Sequence, residues 1–204
     1  MEFRIAKVIS YIFHPLFIPF YTILVLLNSD SFLSLMIPLK GKLLLAGIVL
    51  FTTVLLPLFT SLLLIRMKII YSIFPKTRAE RIYLLLNVAI FYYLTYYLLK
   101  GTHVSIVFNY FMLGSTFLVI CSLMVTFFFR ISLHMIATGG LLGGLIGLTF
   151  LHSVDLTGSI LVMILLAGVI GSARLLIIDS QKPAEVYYGF LMGITVMFLL
   201  FILI

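Results

Sequence analysis

Seven apolar runs, each about as long as a membrane-spanning helix, follow one another along almost the whole chain. They cover residues 8–28, 43–65, 83–99, 104–129, 131–151, 156–178 and 185–204. A helix that crosses the hydrocarbon core of a bilayer needs roughly 20 predominantly apolar residues. The runs are continuous rather than alternating, and lipid offers no water to backbone polar groups, which favours helices over a β-barrel. We therefore expect an all-α integral membrane protein, a bundle of about six to seven transmembrane helices.

Composition supports this fold class and excludes a soluble domain. Hydrophobic residues make up 64% of the chain and charged residues only 9%, whereas about 25% of the residues in a soluble domain are charged. The longest stretch between apolar runs, residues 66–82, is too short to fold as a domain of its own. We expect one transmembrane domain over residues 1–204, in the bacterial cytoplasmic (inner) membrane. No small-residue cleavage site follows the first apolar run, which favours an uncleaved first span.

The basic residues are concentrated on one membrane face. With seven spans, the face that carries the N-terminus, called the basic face below, receives ten of the 13 Lys and Arg residues. The positive-inside rule would place this face in the cytoplasm, although cations that bind a ligand would weaken that argument. The net charge is +7, and because the cations flank apolar spans we expect anionic headgroups or phosphates as partners. No nucleic-acid partner is expected.

The fifth and sixth spans are rich in small residues at helical spacing. Gly139, Gly143 and Gly147 occupy every fourth position of the fifth span, and the sixth span contains Gly168 and Gly171. Small residues at this spacing allow two helix backbones to approach closely. We expect these two spans to pack tightly on each other.

Three polar segments meet on the basic face in this topology, and the first contains Lys76, Arg78 and Arg81. These three cations can cradle a phosphate group, since arginine offers a planar fork of donors. The simpler alternative is a basic interfacial loop that sets topology. Glu80 is expected to pair with a neighbour.

The second segment is Ser132 and His134 at the start of the fifth span. The N-terminal end of a helix favours an anion. In that position Ser132 would bind a phosphate and His134 would donate a proton to a leaving group. The structural alternative is a helix cap by Ser132 and an interfacial His134.

The third segment is the corner after the sixth span, which contains Arg174, Asp179, Ser180, Gln181 and Glu185. Arg174 lies about one turn inside the end of the span, where an unpaired charge costs a few kcal/mol. We expect Arg174 either to bind phosphate or to form a structural pair with Asp179 or Glu185.

A histidine beside a proline interrupts the first span. Pro15 and Pro19 bend or loosen the helix and free backbone carbonyls. We expect His14 to bond one of these carbonyls, which is a structural role.

Metal and cofactor chemistry have no signature in the sequence. Cys121 is the one cysteine, so no disulfide or cysteine-based metal site forms within one chain. No metal-spaced His/Glu pair, nucleotide-binding glycine loop or nucleophile elbow is present. No metal and no cofactor are expected.

The order of the polar segments resembles the type 2 phosphatidic acid phosphatase superfamily, especially its small bacterial membrane members. The likeness covers residues 66–204: a basic loop, then Ser-x-His at the start of a helix, then an Arg followed by a polar corner. The best local match is the run Pro-Ala-Glu-Val-Tyr-Tyr-Gly over residues 183–189. The resemblance implies a phosphatase-like core over 66–204, preceded by two N-terminal spans over 1–65.

The resemblance also implies roles for individual residues. It assigns phosphate binding to Lys76, Arg78, Arg81, Ser132 and Arg174. It makes His134 the general acid and places Glu185 at the acidic position that orients the nucleophile.

The family's nucleophile, a histidine that forms a phosphohistidine, is replaced in this chain. Alignment on Pro183 places Gln181 at that position, and alignment on Arg174 places Ser180 there. Other departures are Leu133 in place of Gly and Ala173 in place of Ser.

Two functions are consistent with this pattern. The first is a non-catalytic or weakly active protein that binds a phospholipid headgroup or serves as a subunit of a membrane complex, because Gln181 cannot act as the nucleophile. The alternative is a phosphatase acting on a polyprenyl, glycerolipid or lipid A phosphate, with His134 and with Asp179, Ser180 or water as substitute nucleophile. A transporter is disfavoured, because the sequence has no internal repeat.

Overall fold

The computed structural model describes residues 2–29, 32–73, 75, 77–100, 106–152, 155–177 and 181–203. Within these residues, seven segments are long and apolar enough to cross a membrane. They are Arg4–Asn28, Leu39–Arg66, Arg78–Lys100, Ile106–Thr126, Leu133–Phe150, Thr157–Leu176 and Pro183–Leu203. The predicted all-α membrane bundle is confirmed, and the described part of the chain contains no β-strand.

The α-helices of the described residues are numbered in chain order. They are α1 Glu2–Ile12, α2 Ile18–Asn28, α3 Phe32–Leu35, α4 Leu39–Leu50, α5 Leu56–Arg66, α6 Arg78–Lys100, α7 Ile106–Thr126, α8 Leu133–His152, α9 Thr157–Leu176 and α10 Pro183–Leu203. A 3-10 turn at Pro15–Phe17 joins α1 to α2 in the first span, and a π-helical turn at Phe51–Leu55 joins α4 to α5 in the second. Helices α6 to α10 form the third to seventh spans.

The first span is broken at His14, as its two prolines predict. Pro15 has no backbone N–H, and its ring holds the preceding residue in extended backbone. His14 accordingly has φ −62° and ψ 139°, and α1 ends at Ile12. The break leaves carbonyls at the end of α1 that need partners from elsewhere in the bundle.

Side chains from other parts of the bundle bond two of these carbonyls. The hydroxyl of Tyr21 donates to Ile12 O at 3.0 Å. The ring of His134 bonds Ser10 O through Nε2 at 3.1 Å, and because a carbonyl only accepts, Nε2 is the donor. The Ser10 carbonyl is thus bonded by His134 from α8, whereas His14 Nδ1 accepts the backbone N–H of Leu16 at 3.3 Å. That His14 bonds a freed carbonyl stays a prediction.

Polar side chains also fix the second span to α6. The hydroxyl of Thr95 donates to the hydroxyl of Thr52 at 2.8 Å, and Asn87 Nδ2 donates to Pro57 O at 2.9 Å. The Thr60 hydroxyl in the second span donates to Asn87 Oδ1 in α6 at 2.7 Å. Hydrogen bonds of this kind satisfy polar groups within the membrane, and here they hold together two helices that border the cavity described below.

The glycines of α8 pack against α10, which corrects the predicted pairing of the fifth and sixth spans. A Cβ atom added at Gly139 would lie 2.3 Å from Phe190 O, and one added at Gly143 would lie 2.4 Å from Ile194 O. On the α10 side, a Cβ added at Gly193 would lie 2.2 Å from Ile136 O. The two backbones therefore touch directly, and no residue larger than glycine fits without a shift.

The small residues of α9 have a different environment. A Cβ added at Gly168 would meet nothing within 4 Å, and one added at Gly171 would make an ordinary contact of 3.5 Å with Met135 Cε. Helix α9 contacts α1 and α8, but less closely than α10 contacts α8. The expected close approach belongs to α8 and α10 because the glycines of α10 supply the complementary surface.

Candidate functional site

A cavity of about 400 Å³ lies within the bundle and is lined by the first two spans and by residues of α6 to α10. Its end near the basic face is lined by charged and hydrogen-bonding residues. These are His14, Thr77, Arg78, Arg81, Arg130, His134, Arg174, Gln181 and Glu185. We call it the arginine cavity. Its polar lining comes from the first span and from three places where the chain turns at the basic face.

The deeper end of the arginine cavity is apolar. Leu118, Leu141 and Met197 line it together with the rings of Tyr92 and Phe111. The Tyr92 hydroxyl donates to Leu16 O at 3.5 Å, and Tyr92 is only 3% exposed. The cavity thus changes from cationic at the membrane face to apolar within the bundle.

The start of α6 places Arg78 and Arg81 in the cavity. Thr77 Oγ1 accepts the backbone N–H of Glu80 at 3.3 Å, and Glu80 Oε2 accepts the backbone N–H of Thr77 at 3.1 Å. This reciprocal pair is a capping box, which fixes the first turn of a helix. The other Glu80 oxygen accepts the N–H of Tyr71 at 3.0 Å. Because Arg78 and Arg81 are three residues apart, they lie on one face of that turn.

Both arginines reach across to the turn between α7 and α8. Arg78 Nη1 donates to Phe127 O at 2.9 Å, and Arg81 Nη2 donates to Ile131 O. These bonds use only part of the five donors of each guanidinium. The Nε of Arg81 is buried and has no hydrogen-bond partner among the described residues.

The end of α9 brings Arg174 to the same cavity. Arg174 Nε donates to Gln181 Oε1 at 3.2 Å, and its Nη1 lies 3.5 Å from the Ser10 hydroxyl. Gln181 stands where one alignment places the family's nucleophile, and in this structure its amide oxygen holds a guanidinium. The first span, the corner and α9 therefore meet at Arg174.

Two histidine rings lie side by side in the arginine cavity. The ring centroids of His14 and His134 are 5.6 Å apart, with the ring planes at 81°. His14 Nδ1 accepts the backbone N–H of Leu16 at 3.3 Å and so caps the 3-10 turn. His134 is 9% exposed and bonds Ser10 O, as described above.

Glu185 and Ser132 connect the start of α10 to the start of α8. The backbone N–H of Ser132 donates to Glu185 O at 3.1 Å. The Glu185 side chain lines the arginine cavity and interacts electrostatically with Arg81. Ser132 is fully buried, and its hydroxyl has no hydrogen-bond partner among the described residues. The alternative that Ser132 caps α8 through its side chain therefore has no bond to support it.

The structure brings most of the predicted site residues together. Those that line the arginine cavity are Arg78, Arg81, His134, Arg174, Gln181 and Glu185. Ser132 is not among the residues that line it. Lys76, Asp179 and Ser180 lie outside the described residues.

His14 and Arg130 also line the arginine cavity. From the sequence, His14 was interpreted as structural. Its position beside Pro15 was the available signal, because a break in a span can turn a side chain toward neighbouring helices. Arg130 lies between two spans that follow each other with almost no loop, which confines its side chain to the basic face.

Fold and cavity together define an integral membrane helix bundle with an arginine-lined cavity near one membrane face. No protein-family model, curated protein or solved structure matches the chain. The function must therefore follow from the residues that line the cavity.

Proposed function

We propose that the protein binds the phosphate of a phosphorylated membrane lipid in the arginine cavity and hydrolyses it weakly or not at all. The observation that carries this proposal is the meeting of Arg78, Arg81, Arg130 and Arg174 in one cavity. Guanidinium groups bind phosphate oxygens through charge-assisted and often bidentate hydrogen bonds. Four arginine side chains from three separate segments of the chain form a cluster that suits a multivalent anion.

Charge balance supports an anionic ligand. Among the described lining residues, one carboxylate, Glu185, accompanies Arg78, Arg81 and Arg130. Placing surplus charge near hydrocarbon costs free energy unless a counter-charge is present. A phosphate monoester carries a charge of about −1.5 to −2 at neutral pH, which compensates much of this surplus.

The buried Nε of Arg81, which has no hydrogen-bond partner among the described residues, supports the same ligand class. A buried donor without an acceptor costs about 1–3 kcal/mol. A phosphate oxygen next to Arg81 would supply that acceptor without breaking the bond between Arg81 and Ile131 O.

The apolar end of the cavity supports a lipid rather than a free phosphate. An amphiphile with its phosphate at Arg78 and Arg81 extends its chain toward Tyr92, Phe111 and Met197. Burial of apolar surface there adds roughly 25 cal/mol per Å² to binding, a contribution that inorganic phosphate lacks.

Two hydrogen bonds support weak or absent catalysis. His134 donates its Nε2 proton to Ser10 O, so this proton is not poised for a leaving group. Gln181 holds Arg174 through its amide oxygen, and an amide is not a nucleophile for phosphoryl transfer. Loss of a catalytic nucleophile lowers rates by several orders of magnitude in enzymes where it has been removed.

The alternative function, a lipid-phosphate phosphatase, is supported by the position of His134. Its ring lines the same cavity as Arg78 and Arg81, close to where a bound phosphate would lie. In this reading Asp179, Ser180 or water replaces the missing histidine, and His134 serves as acid or base.

The binding proposal is tested with the purified full chain in phosphatidylcholine nanodiscs. Phosphatidic acid is titrated into wild type and into Arg81→Gln, which removes a cavity charge at similar side-chain length. The matched control is Arg66→Gln, which removes an exposed arginine near the same face but outside the cavity lining.

We expect phosphatidic acid to bind wild type and Arg66→Gln alike. We expect Arg81→Gln to bind at least tenfold more weakly, because a hydrogen bond to a charged group contributes about 1.5–3 kcal/mol. Equal affinities for wild type and Arg81→Gln would overturn the proposal, as would equal affinity of wild type for phosphatidic acid and phosphatidylcholine.

Phosphate release from lipid mono- and diphosphates separates the two functions. Wild type is expected to release little or none, and Gln181→His is expected to gain activity if the corner retains a phosphatase geometry. Turnover by wild type that His134→Ala abolishes would favour the phosphatase instead.

A further inference from the structure

We propose that the arginine cavity is a blind-ended channel for one unbranched hydrocarbon chain, and that Met197 at the closed end limits the length of that chain. The ligand class is thereby narrowed to phosphomonoester lipids whose chain matches the channel. This narrowing deepens the proposed function and rests on it. A two-chain lipid such as phosphatidic acid places one chain in the channel and leaves the other in the bilayer.

The lining residues of α6 give the length of the cavity. Arg81, Leu85, Val88 and Tyr92 line it, and because they follow one another at every third or fourth position they lie on one face of the helix. At a rise of about 1.5 Å per residue, Arg81 and Tyr92 lie about 16 Å apart along α6. The cationic mouth and the apolar end are therefore opposite ends of one long channel.

The volume of the cavity limits its width. About 400 Å³ distributed over about 16 Å of helix length gives a mean cross-section of roughly 25 Å². Nonbonded carbon atoms approach one another to about 3.5–4.0 Å, so a channel of this width holds one hydrocarbon chain and excludes a second beside it. The arginines keep the phosphate end of the lipid at the mouth, and the chain then extends inward.

Side chains from three helices close the apolar end. Tyr92 of α6, Phe111 of α7 and Met197 of α10 line this end, and each is at most 3% exposed. Behind Phe111 lies the fully buried ring of Phe201, at a centroid distance of 4.7 Å. A chain that enters from the mouth therefore meets closely packed side chains of the described bundle.

Met197 occupies a space that glycines of two neighbouring helices leave open. A Cβ atom added at Gly114 of α7 would lie 2.6 Å from Met197 Sδ. A Cβ added at Gly140 of α8 would lie 2.5 Å from Leu118 Cδ2 and 3.4 Å from Met197 Cγ. Gly140, Leu118 and Met197 all line the cavity. The side-chain volume at positions 140 and 197 therefore determines where the channel ends.

A series of single-chain alkyl phosphates, from octyl to octadecyl phosphate, measures the channel. The full chain is placed in phosphatidylcholine nanodiscs, and affinity is expressed per mole fraction of ligand in the bilayer, so that partition into the membrane cancels. An extended chain with C–C bonds of about 1.5 Å advances about 1.3 Å per carbon. We expect the highest affinity at about ten to twelve carbons, the length that about 16 Å of channel accepts.

Longer chains are expected to bind more weakly because their terminal carbons would have to displace packed side chains. We expect octadecyl phosphate to bind wild type at least tenfold more weakly than the optimal ligand. An affinity that does not depend on chain length would overturn the inference.

Two substitutions change the closed end in opposite directions. Met197→Ala removes the Cγ, Sδ and Cε atoms, and we expect the optimum to move to chains about two carbons longer. Gly140→Ala adds a methyl group beside Leu118 and Met197, and we expect the optimum to move to shorter chains. Thermal unfolding in detergent identifies any variant that is not folded, and Met197→Ala decides the matter if Gly140→Ala does not fold.

The matched control is Met163→Ala. It removes the same atoms from a buried methionine of α9 that lies outside the cavity lining, so the optimum should stay where it is in wild type. An unchanged optimum in folded Met197→Ala would overturn the role of Met197. An equal shift in Met163→Ala would also overturn it, because the effect would then belong to a general loosening of the bundle.

Arg81→Gln distinguishes failure of this inference from failure of the proposed function. If affinity does not depend on chain length while Arg81→Gln weakens binding of every alkyl phosphate, the channel is wrong and the arginine site stands. If wild type binds no alkyl phosphate of any length, the proposed function fails and the inference fails with it.

Discussion

The two faces of α8 make opposite kinds of contact. On one face, Gly139 and Gly143 bring the helix backbone against that of α10, with no space for a side chain. On the other face, His134, Ala137 and Leu141 border a cavity of about 400 Å³. One helix thus joins a closely packed helix interface to the arginine cavity. Substitutions on the first face should change stability, whereas those on the second should change ligand binding.

The largest effect is expected on the packed face, from Gly143→Ala. The new Cβ would lie 2.4 Å from Ile194 O and 2.8 Å from its Cα, and backbone atoms in a packed helix cannot rotate away. We expect a loss of about 2–3 kcal/mol in the free energy of unfolding, seen as a lower unfolding temperature in detergent.

Gly168→Ala in α9 is the matched control for this change. Its Cβ would meet nothing within 4 Å, and alanine is favoured over glycine in a helix by up to about 1 kcal/mol. We expect unchanged or higher stability. If the two variants behave alike, the close contact between α8 and α10 is wrong.

Arg174→Gln should have the next largest effect, this time on ligand binding. The change removes a charge that lines the cavity and is held by Gln181 and Ser10. We expect affinity for phosphatidic acid to fall about tenfold to a hundredfold, since bonds to charged groups contribute about 1.5–3 kcal/mol. Arg174→Lys keeps the charge but loses the planar fork. Its affinity for phosphatidic acid should therefore lie between those of Arg174→Gln and wild type. A lysine variant as weak as the glutamine variant would contradict a role for the charge.

His134→Ala tests a residue of α8 that both lines the cavity and contacts the first span. Removing the imidazole leaves Ser10 O without the Nε2–H donor. We expect the free energy of unfolding to fall by about 1–3 kcal/mol. Because this bond fixes the first span beside the cavity, phosphate affinity should fall as well. His134→Gln, which has an amide N–H at similar reach, should recover part of the stability. No change in unfolding temperature for His134→Ala would contradict the proposed link between the spans.

Ser132→Ala should have the smallest effect, although the family resemblance assigns this residue to phosphate. Its hydroxyl is fully buried, lacks a partner among the described residues and does not line the cavity. Removing an unsatisfied buried hydroxyl should leave stability equal or raise it by up to about 1 kcal/mol. Affinity for phosphatidic acid should not change. A tenfold loss would show that Ser132 binds the ligand after all.

The seven spans could be predicted from sequence because length and hydropathy decide them. Once the number of spans is known, alternation places the starts of α6, α8 and α10 at one membrane face. This is why Arg78, Arg81, Arg174 and Glu185 were expected to meet, and they line one cavity. Glu80 was expected to pair with a neighbour, and its oxygens bond the backbone of Thr77 and Tyr71.

The helix partners could not be predicted in the same way. Small residues in α8 indicate a close approach but do not identify the partner helix, and α9 contains more small residues than α10. The partner depends on which two surfaces complement each other along their whole length. Gly193 meets Ile136 and Gly140 across that interface, a match that only the folded geometry reveals.

The directions in which individual side chains point at the starts of helices could not be predicted from the sequence either. Successive residues of a helix point about 100° apart, so Ser132 and His134 of one short motif have different surroundings. His14 was placed correctly at a break, but the neighbours of that break depend on how the first span lies against α8 and α9. The relationship to type 2 phosphatidic acid phosphatases stays a prediction.

The most direct measurement identifies the lipid that co-purifies with the protein. Wild type and the double variant Arg81→Gln, Arg174→Gln are extracted in mild detergent, and their bound lipids are identified by native mass spectrometry. We expect wild type to retain about one phosphorylated lipid per chain and the double variant to retain none. Retention of the same zwitterionic lipid by both proteins, with no phosphorylated lipid on either, would contradict a phosphate site in the arginine cavity.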